Sequence, residues 1–70
     1  MSDRIELLIN GESKSISAGQ TISQLLNELD FDARRVAVEV NLDVVPREQH
    51  GQRQLEAGDR VEVVSLVGGG

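Results

Sequence analysis

The chain of 70 residues contains no cysteine, which excludes disulfide bonds, thiolate metal ligands and nucleophilic thiols. Aromatic residues are almost absent, because Phe31 is the only one. Binding of single-stranded nucleic acid relies on aromatic side chains that stack on bases, so this kind of binding is not expected. A net charge of −5 also opposes contact with a polyphosphate backbone. We therefore expect no nucleic acid partner.

Long hydrophobic runs are also lacking, and none approaches the length needed to span a membrane. The first residues, Met1 to Arg4, lead into a strand pattern and do not resemble a signal peptide. A chain this short forms one domain and leaves little room for an enclosed pocket of converging catalytic groups. We expect a soluble, cytoplasmic protein that is not an enzyme.

Groups that could carry chemistry are sparse. His50 is the only histidine, and it lies in a polar stretch without a second histidine or a cysteine to complete a metal site. We predict a surface histidine and no metal. The 12 acidic residues are scattered, and no two of them form an evident acid and base pair. Arg34 and Arg35 predict a solvated loop or a local ion pair, with a docking contact as the alternative.

The first part of the chain predicts a β-hairpin. Ile5, Leu7 and Ile9 alternate with polar residues, which is the period of a half-buried strand. Asn10-Gly11 is the strongest short signal for a type I′ turn. The return strand, residues 12–17, is polar apart from one isoleucine, and this composition is typical of an edge strand.

A short helix follows the hairpin. Thr21 and Gln24 have the spacing of a capping box, in which each side chain binds a free backbone N–H of the first turn. The apolar residues that follow recur at helical spacing on one face. They are Ile22, Leu25, Leu26 and Leu29. The pattern breaks at residues 30–32.

The second half of the chain predicts three more strands. Residues 36–40 alternate as a strand, and a turn at residues 41–43 leads to the brief apolar pair Val44-Val45. Pro46 is expected to end this ladder and to be the first residue of a helical turn. Leu55 is predicted to reach the core from a polar loop. The last strand is predicted over residues 60–67, after a turn at Gly58-Asp59.

This order of elements predicts an α+β fold in which a single mixed sheet wraps around one helix. The first and last strands are the most apolar, so we place them side by side at the sheet centre. If Val61 and Val63 face the helix, Val64 and Leu66 point to the opposite face, and Leu8 is expected close to Val64. These exposed apolar residues predict a docking patch, although single exposed apolar residues are also common on protein surfaces.

The sequence ends on Gly68, Gly69 and Gly70, which predicts a flexible tail after a domain of residues 1–67. A tail without side chains suits entry of a terminal carboxylate into the channel of a partner enzyme. A ragged end or an expression scar is the alternative. The carboxylate is ionised at neutral pH and is a poor electrophile. It would become reactive after activation, for which ATP-driven adenylation is the plausible route.

Several segments carry a resemblance to a known family. They are Ala18-Gly19-Gln20-Thr21-Ile22 with Leu25-Leu26, the stretch VAVEVNLDVVPR at residues 36–47, and Gly58-Asp59-Arg60-Val61 leading to the glycine end. With the order of elements, they resemble the ThiS family of sulfur carriers in thiamine biosynthesis, which has the ubiquitin-like β-grasp fold. The segment from Asn41 to Glu48 and the VGGG end are the most specific parts.

The resemblance implies that this chain is a protein substrate. A ThiF-type, E1-like enzyme would adenylate Gly70 with ATP, and the chain itself would bind no cofactor. Sulfur from a cysteine desulfurase or rhodanese-type relay would then form a thiocarboxylate. A ThiG-type thiazole synthase would accept the sulfur. The partner-binding residues would be Leu8, Val64, Leu66 and Val67, beside the tail.

Three alternatives also fit the sequence. The chain resembles, less closely, the small subunit of molybdopterin synthase, although the segment Val45-Pro46-Arg47-Glu48 and the short length count against it. It could also be a ubiquitin-like modifier that is joined to a lysine of a target protein. The last alternative is a binding module whose glycines have no function.

Overall fold

The computed structural model describes residues 3–66. Val67, Gly68, Gly69 and Gly70 lie outside the described residues, so the predicted division into a domain and a tail stays a prediction. The elements, in chain order, are β1 (Arg4–Ile9), β2 (Glu12–Ser17), α1 (Ile22–Glu28), a 3₁₀ helix (Ala33–Arg35), β3 (Val36–Val40), β4 (Asp43–Val45), a second 3₁₀ helix (Arg47–Gln49) and β5 (Arg60–Ser65).

The strands form one mixed sheet in the order β2-β1-β5-β3-β4. β1 and β5 are parallel neighbours at the centre, and the other strand pairs are antiparallel. The predicted α+β fold is therefore confirmed, together with the central position of the first and last strands and the edge position of β2. β5 ends at Ser65 and is shorter than predicted, although the Leu66 N–H still donates to the Arg35 carbonyl at 2.7 Å.

The β1–β2 hairpin turns at Asn10 and Gly11, whose φ angles are +52° and +84°. A type I′ turn requires positive φ at both positions, as the sequence predicted. The Asn10 side chain has a second role, because its Oδ1 accepts from the Val63 N–H at 2.8 Å and its Nδ2 donates to the Val63 carbonyl at 3.4 Å. The amide therefore continues the pairing of β5 beyond the end of β1.

Helix α1 begins at the predicted capping box. The Thr21 N–H donates to Gln24 Oε1 at 2.9 Å, and the Gln24 N–H donates to Thr21 Oγ1 at 3.2 Å. The buried side of the helix packs on the sheet, and Leu29 is partly buried. Pro46 differs slightly from its prediction, because it precedes the 3₁₀ helix of Arg47–Gln49 instead of being its first residue.

One hydrophobic core lies between α1 and the sheet. Leu55 is 2% exposed and enters this core from its loop, as predicted. The buried apolar residues are Leu7, Ile9, Ile16, Ile22, Leu25, Leu26, Val36, Val38, Val40, Val45, Leu55, Val61 and Val63. Among residues 3–66, no helix is long and apolar enough to cross a membrane.

His50 is the main correction to the sequence predictions, because it is only 2% exposed and is not a surface residue. Its Nε2 donates to the Val45 carbonyl at 2.9 Å. Its backbone carbonyl accepts from the Ser23 N–H at 3.0 Å, which ties the loop to the start of α1. The 3₁₀ helix before it turns the chain back toward the core. The described residues contain no cluster of side chains that could hold a metal ion.

Candidate functional site: the open face of the sheet

The helix covers one side of the sheet, and we call the other side the open face. Alternation along β5 sets which side chains reach it. Val61 and Val63 point into the core and are 0% and 7% exposed. Val64 is 49% exposed and Leu66 is 55% exposed. The prediction that these two pairs lie on opposite faces is therefore confirmed.

Four apolar side chains of the open face form what we call the apolar patch: Ala37, Val44, Val64 and Leu66. Ala37 lies directly opposite Val64 in the β3–β5 pairing. Val44, on β4, is 66% exposed. A groove of about 300 Å³ is lined by Leu66, Ala37, Val44 and Pro46, and the charged residues Arg34, Arg47 and Glu48 also border it. The patch therefore extends from the end of β5 toward β4.

Leu8 does not belong to this patch, which corrects the prediction that it lies close to Val64. The parallel register of β1 and β5 places Leu8 opposite Arg60. Val64 is four residues further along β5, which corresponds to roughly 13 Å at the usual rise per residue. β1 ends at Ile9, so it cannot reach the level of Val64. Sequence reasoning missed Ala37 and Val44 because the pairing of β5 with β3 was not deduced.

A pair of glutamates lies beside the apolar patch on the open face. Glu39 and Glu62 are directly opposite each other in the antiparallel β3–β5 pairing, and both are half-buried. Neither carboxylate has a hydrogen-bond or ion-pair partner within the described part of the chain. Like charges that face each other across a strand pair repel and destabilise the sheet.

Arg34 and Arg35 lie at the other side of the patch, beside Leu66. Asp32 accepts from the Arg34 backbone N–H at 3.0 Å, and this bond is the largest cause that holds the pKa of Asp32 below its usual value. Its carboxylate also lies 3.3 Å from Arg34 Nε and 3.6 Å from Arg35 Nε. The predicted local ion pair is confirmed.

The last described residue, Leu66, adjoins the segment in which the other predicted site residues lie. Val67, Gly68, Gly69 and Gly70 are outside the described residues, and their roles stay predictions. The site that the structure describes is therefore a surface, made of an apolar patch and an acidic pair at the end of the central strand β5. Such a surface suits contact with another protein.

Within residues 3–66, one α-helix packs against a five-stranded mixed sheet whose other face is uncovered, and this arrangement defines a ubiquitin-like β-grasp protein. Comparison with known proteins narrows this class. A model of the ThiS family matches residues 7–70. The sulfur carrier protein ThiS of Escherichia coli K12 is 33% identical over 94% of this chain and 100% of its own length. The chain belongs to the ThiS family of sulfur carrier proteins.

Two further similarities support this assignment. The crystal structure of the thiamine biosynthesis protein ThiS from Geobacter metallireducens superposes with a TM-score of 0.83 at 30% identity, and the match covers 94% of this chain and all of that one. A thiazole synthase of Paramagnetospirillum magneticum is 46% identical over 94% of this chain. The chain spans only about a fifth of that relative, because the match covers 20% of its length.

Proposed function

We propose that this protein carries sulfur for thiamine biosynthesis as a thiocarboxylate on Gly70. The observation that carries the proposal is the extent of the family match, which runs to residue 70 and includes Gly68, Gly69 and Gly70. Glycines present no Cβ, so a narrow channel in a partner enzyme can admit them. The chain is then the substrate of other enzymes, and it holds sulfur on its own terminal carbonyl without any cysteine.

The chemistry requires activation of the Gly70 carboxylate. A carboxylate oxygen attacks the α-phosphorus of ATP, pyrophosphate leaves, and the product is an acyl adenylate. A sulfur nucleophile then adds to the carbonyl carbon and displaces AMP, so that sulfur replaces one carboxylate oxygen. A ThiF-type, E1-like enzyme would hold the ATP. Free sulfide gives the thiocarboxylate directly, with loss of AMP. A cysteine desulfurase or rhodanese-type relay would supply the sulfur as a cysteine persulfide, whose outer sulfur displaces AMP to form an acyl disulfide. A second thiol would then attack the relay cysteine sulfur, release the thiocarboxylate and leave a disulfide.

The apolar patch supports the partner contacts that this cycle needs. Leu66 is exposed and lies just before Val67 and the glycines. A partner that covers the patch would also be positioned to receive the following residues. We propose that the adenylating enzyme and a ThiG-type thiazole synthase bind here in turn, and the similarity to proteins named thiazole synthase supports the second partner.

Intact mass measurement tests the proposal. The full-length chain is incubated with ATP, the ThiF-type enzyme of the same organism and sulfide. Exchange of one oxygen for sulfur adds about 16 Da, which is nearly the mass added by methionine oxidation, so the shift must be located in the C-terminal fragment. A reaction without ATP is the control. If the terminal fragment never gains this mass in an ATP-dependent way, the proposal is wrong.

Two variants test the role of the glycines. Deletion of Gly70 withdraws the terminus by about 3.5 Å, and misplacement on this scale lowers rates by orders of magnitude at a fixed site. Gly69→Ala adds a Cβ to the segment that enters the channel. We expect both variants to be loaded much more slowly than the parent chain while their melting temperatures remain unchanged. Loading of the deletion variant at the parent rate would contradict the proposal.

A further inference from the structure

The pairing of β3 with β5 places two like charges together at the middle of the sheet. Glu39 and Glu62 occupy directly opposite positions on the open face. Side chains in such positions have Cβ atoms about 5 Å apart, which is close enough for the carboxylates to repel each other. Both residues are half-buried, so neighbouring side chains partly screen them from water.

Nothing described in the structure compensates these charges. The nearest basic residue along β5 is Arg60, two positions before Glu62 on the same face, and it makes no ion pair within residues 3–66. By contrast, Asp32 has both Arg34 and Arg35 within 4 Å. The open face therefore contains an uncompensated acidic pair in the free protein.

The position of Glu39 and Glu62 beside the apolar patch indicates which groups could compensate their negative charge. Val64 follows Glu62 on the same face, and Val44 lies directly opposite Glu39 on β4. A protein that covers the apolar patch must therefore also cover the two carboxylates. Burial of two unpaired carboxylates would be costly, whereas a cation between them would remove their repulsion and pair with both.

We propose that Glu39 and Glu62 together receive one arginine or lysine side chain of the thiazole synthase when it covers the open face. This inference rests on the proposed function, which supplies two partners for this face; we choose the thiazole synthase because this chain is similar to about a fifth of the length of proteins of that name. A guanidinium group suits the geometry best, because its five N–H donors can serve two carboxylates at once. The net charge of −5 on the whole chain favours approach of such a basic surface.

The proposal predicts opposite effects on stability and on binding. Glu62→Gln and Glu39→Gln each remove the repulsion, so the melting temperature of the free protein should rise. The same substitutions remove half of the acceptor for the cation, so affinity for the thiazole synthase should fall by about tenfold or more. The dependence of affinity on salt should also become weaker, because one charged contact is lost.

The test uses the full-length chain, the purified thiazole synthase of the same organism and titration calorimetry at two salt concentrations. Glu12→Gln is the matched control, because it makes the same charge change on β2 opposite the buried Ile9. We expect the control to change affinity by less than about twofold. Equal effects of Glu12→Gln and Glu62→Gln, or no binding of the parent chain to the synthase, would overturn the inference.

A third variant separates this inference from the proposed function. Leu66→Asp places a charge in the apolar patch and leaves the glutamates intact. If Leu66→Asp abolishes binding while Glu62→Gln does not, the acidic pair has no role, although the patch remains the docking surface. If the mass assay shows no thiocarboxylate on Gly70 while Glu62→Gln still weakens binding, the proposed carrier chemistry is wrong. The role of the acidic pair in binding the synthase is then still supported.

Discussion

At the scale of single residues, His50 has the environment that differs most from its sequence context. Its neighbours in the chain are polar, yet its ring is buried and its Nε2 donates to the Val45 carbonyl. The other ring nitrogen, Nδ1, is buried without a hydrogen-bond partner within residues 3–66. The ring therefore fills space in the interior and anchors the loop after β4 to the core. Its Nε2–H satisfies the Val45 carbonyl.

Replacement of His50 tests this structural role. His50→Leu keeps an apolar side chain in the interior but leaves the Val45 carbonyl without its donor. An unpaired buried acceptor costs about 1–3 kcal/mol, but removal of the unpartnered Nδ1 offsets part of this cost, so the free energy of unfolding should fall by about 1 kcal/mol. Urea denaturation measures the change. A surface histidine would give a change within about 0.5 kcal/mol, and such a result would contradict the buried position.

At the scale of elements, the two hairpins of the sheet have the same kind of turn but different residues in it. Asn10 and Gly11 have φ angles of +52° and +84°, and Asn41 and Leu42 have +53° and +74°. Glycine adopts positive φ without steric cost. A leucine in this conformation is strained by about 1–2 kcal/mol, because its Cβ lies too close to the following carbonyl oxygen. Leu42 is also 77% exposed, so burial of its side chain does not offset this strain.

Reciprocal substitutions in the turns should therefore have opposite effects. Leu42→Gly relieves the strained φ angle, and after the entropic cost of glycine the stability should rise by about 0.5–1 kcal/mol. Gly11→Ala should lower stability by about 1 kcal/mol. No atom lies within 4 Å of an added Cβ at Gly11, so its effect reports backbone strain alone. Thermal unfolding measures the stability of both variants. If the two substitutions change stability in the same direction, the explanation is wrong.

At the scale of the whole molecule, the two faces of the sheet have different roles. One face packs on α1 and forms the core, and the other is exposed to solvent. The side toward α1 contains the buried core, including Leu26 at 1% exposure. The open face carries the exposed apolar patch and the acidic pair, which lie outside the buried core. This division suits the proposed function, in which larger enzymes contact the open face.

Two leucines on opposite sides of the sheet test the division. Leu26→Ala should lower the free energy of unfolding by about 2–5 kcal/mol, because it leaves a cavity in the core. Leu66→Asp should leave thermal unfolding nearly unchanged and slow the ATP-dependent loading of Gly70 by the adenylating enzyme. Loss of folding in Leu66→Asp would assign this residue to the core and would contradict the docking surface.

Local sequence patterns determined most of the elements. Period-two alternation defined the strands, the Thr21 and Gln24 pair defined the start of α1, and Asn10-Gly11 defined the first turn. Each of these signals acts within a few residues, so it can be read without knowledge of the fold. Resemblance over nearly the whole chain identified the family, and the match to the ThiS model favours it over the molybdopterin-synthase alternative.

Only the tertiary structure decided which residues face each other across strands. The parallel register of β1 with β5 separated Leu8 from Val64, and the pairing of β3 with β5 placed Glu39 opposite Glu62. Such contacts join residues that lie more than 20 positions apart, and register depends on how all the strands fit one core. The burial of His50 has the same origin, because the fold around the loop, and not the polarity of its neighbours, places the ring inside.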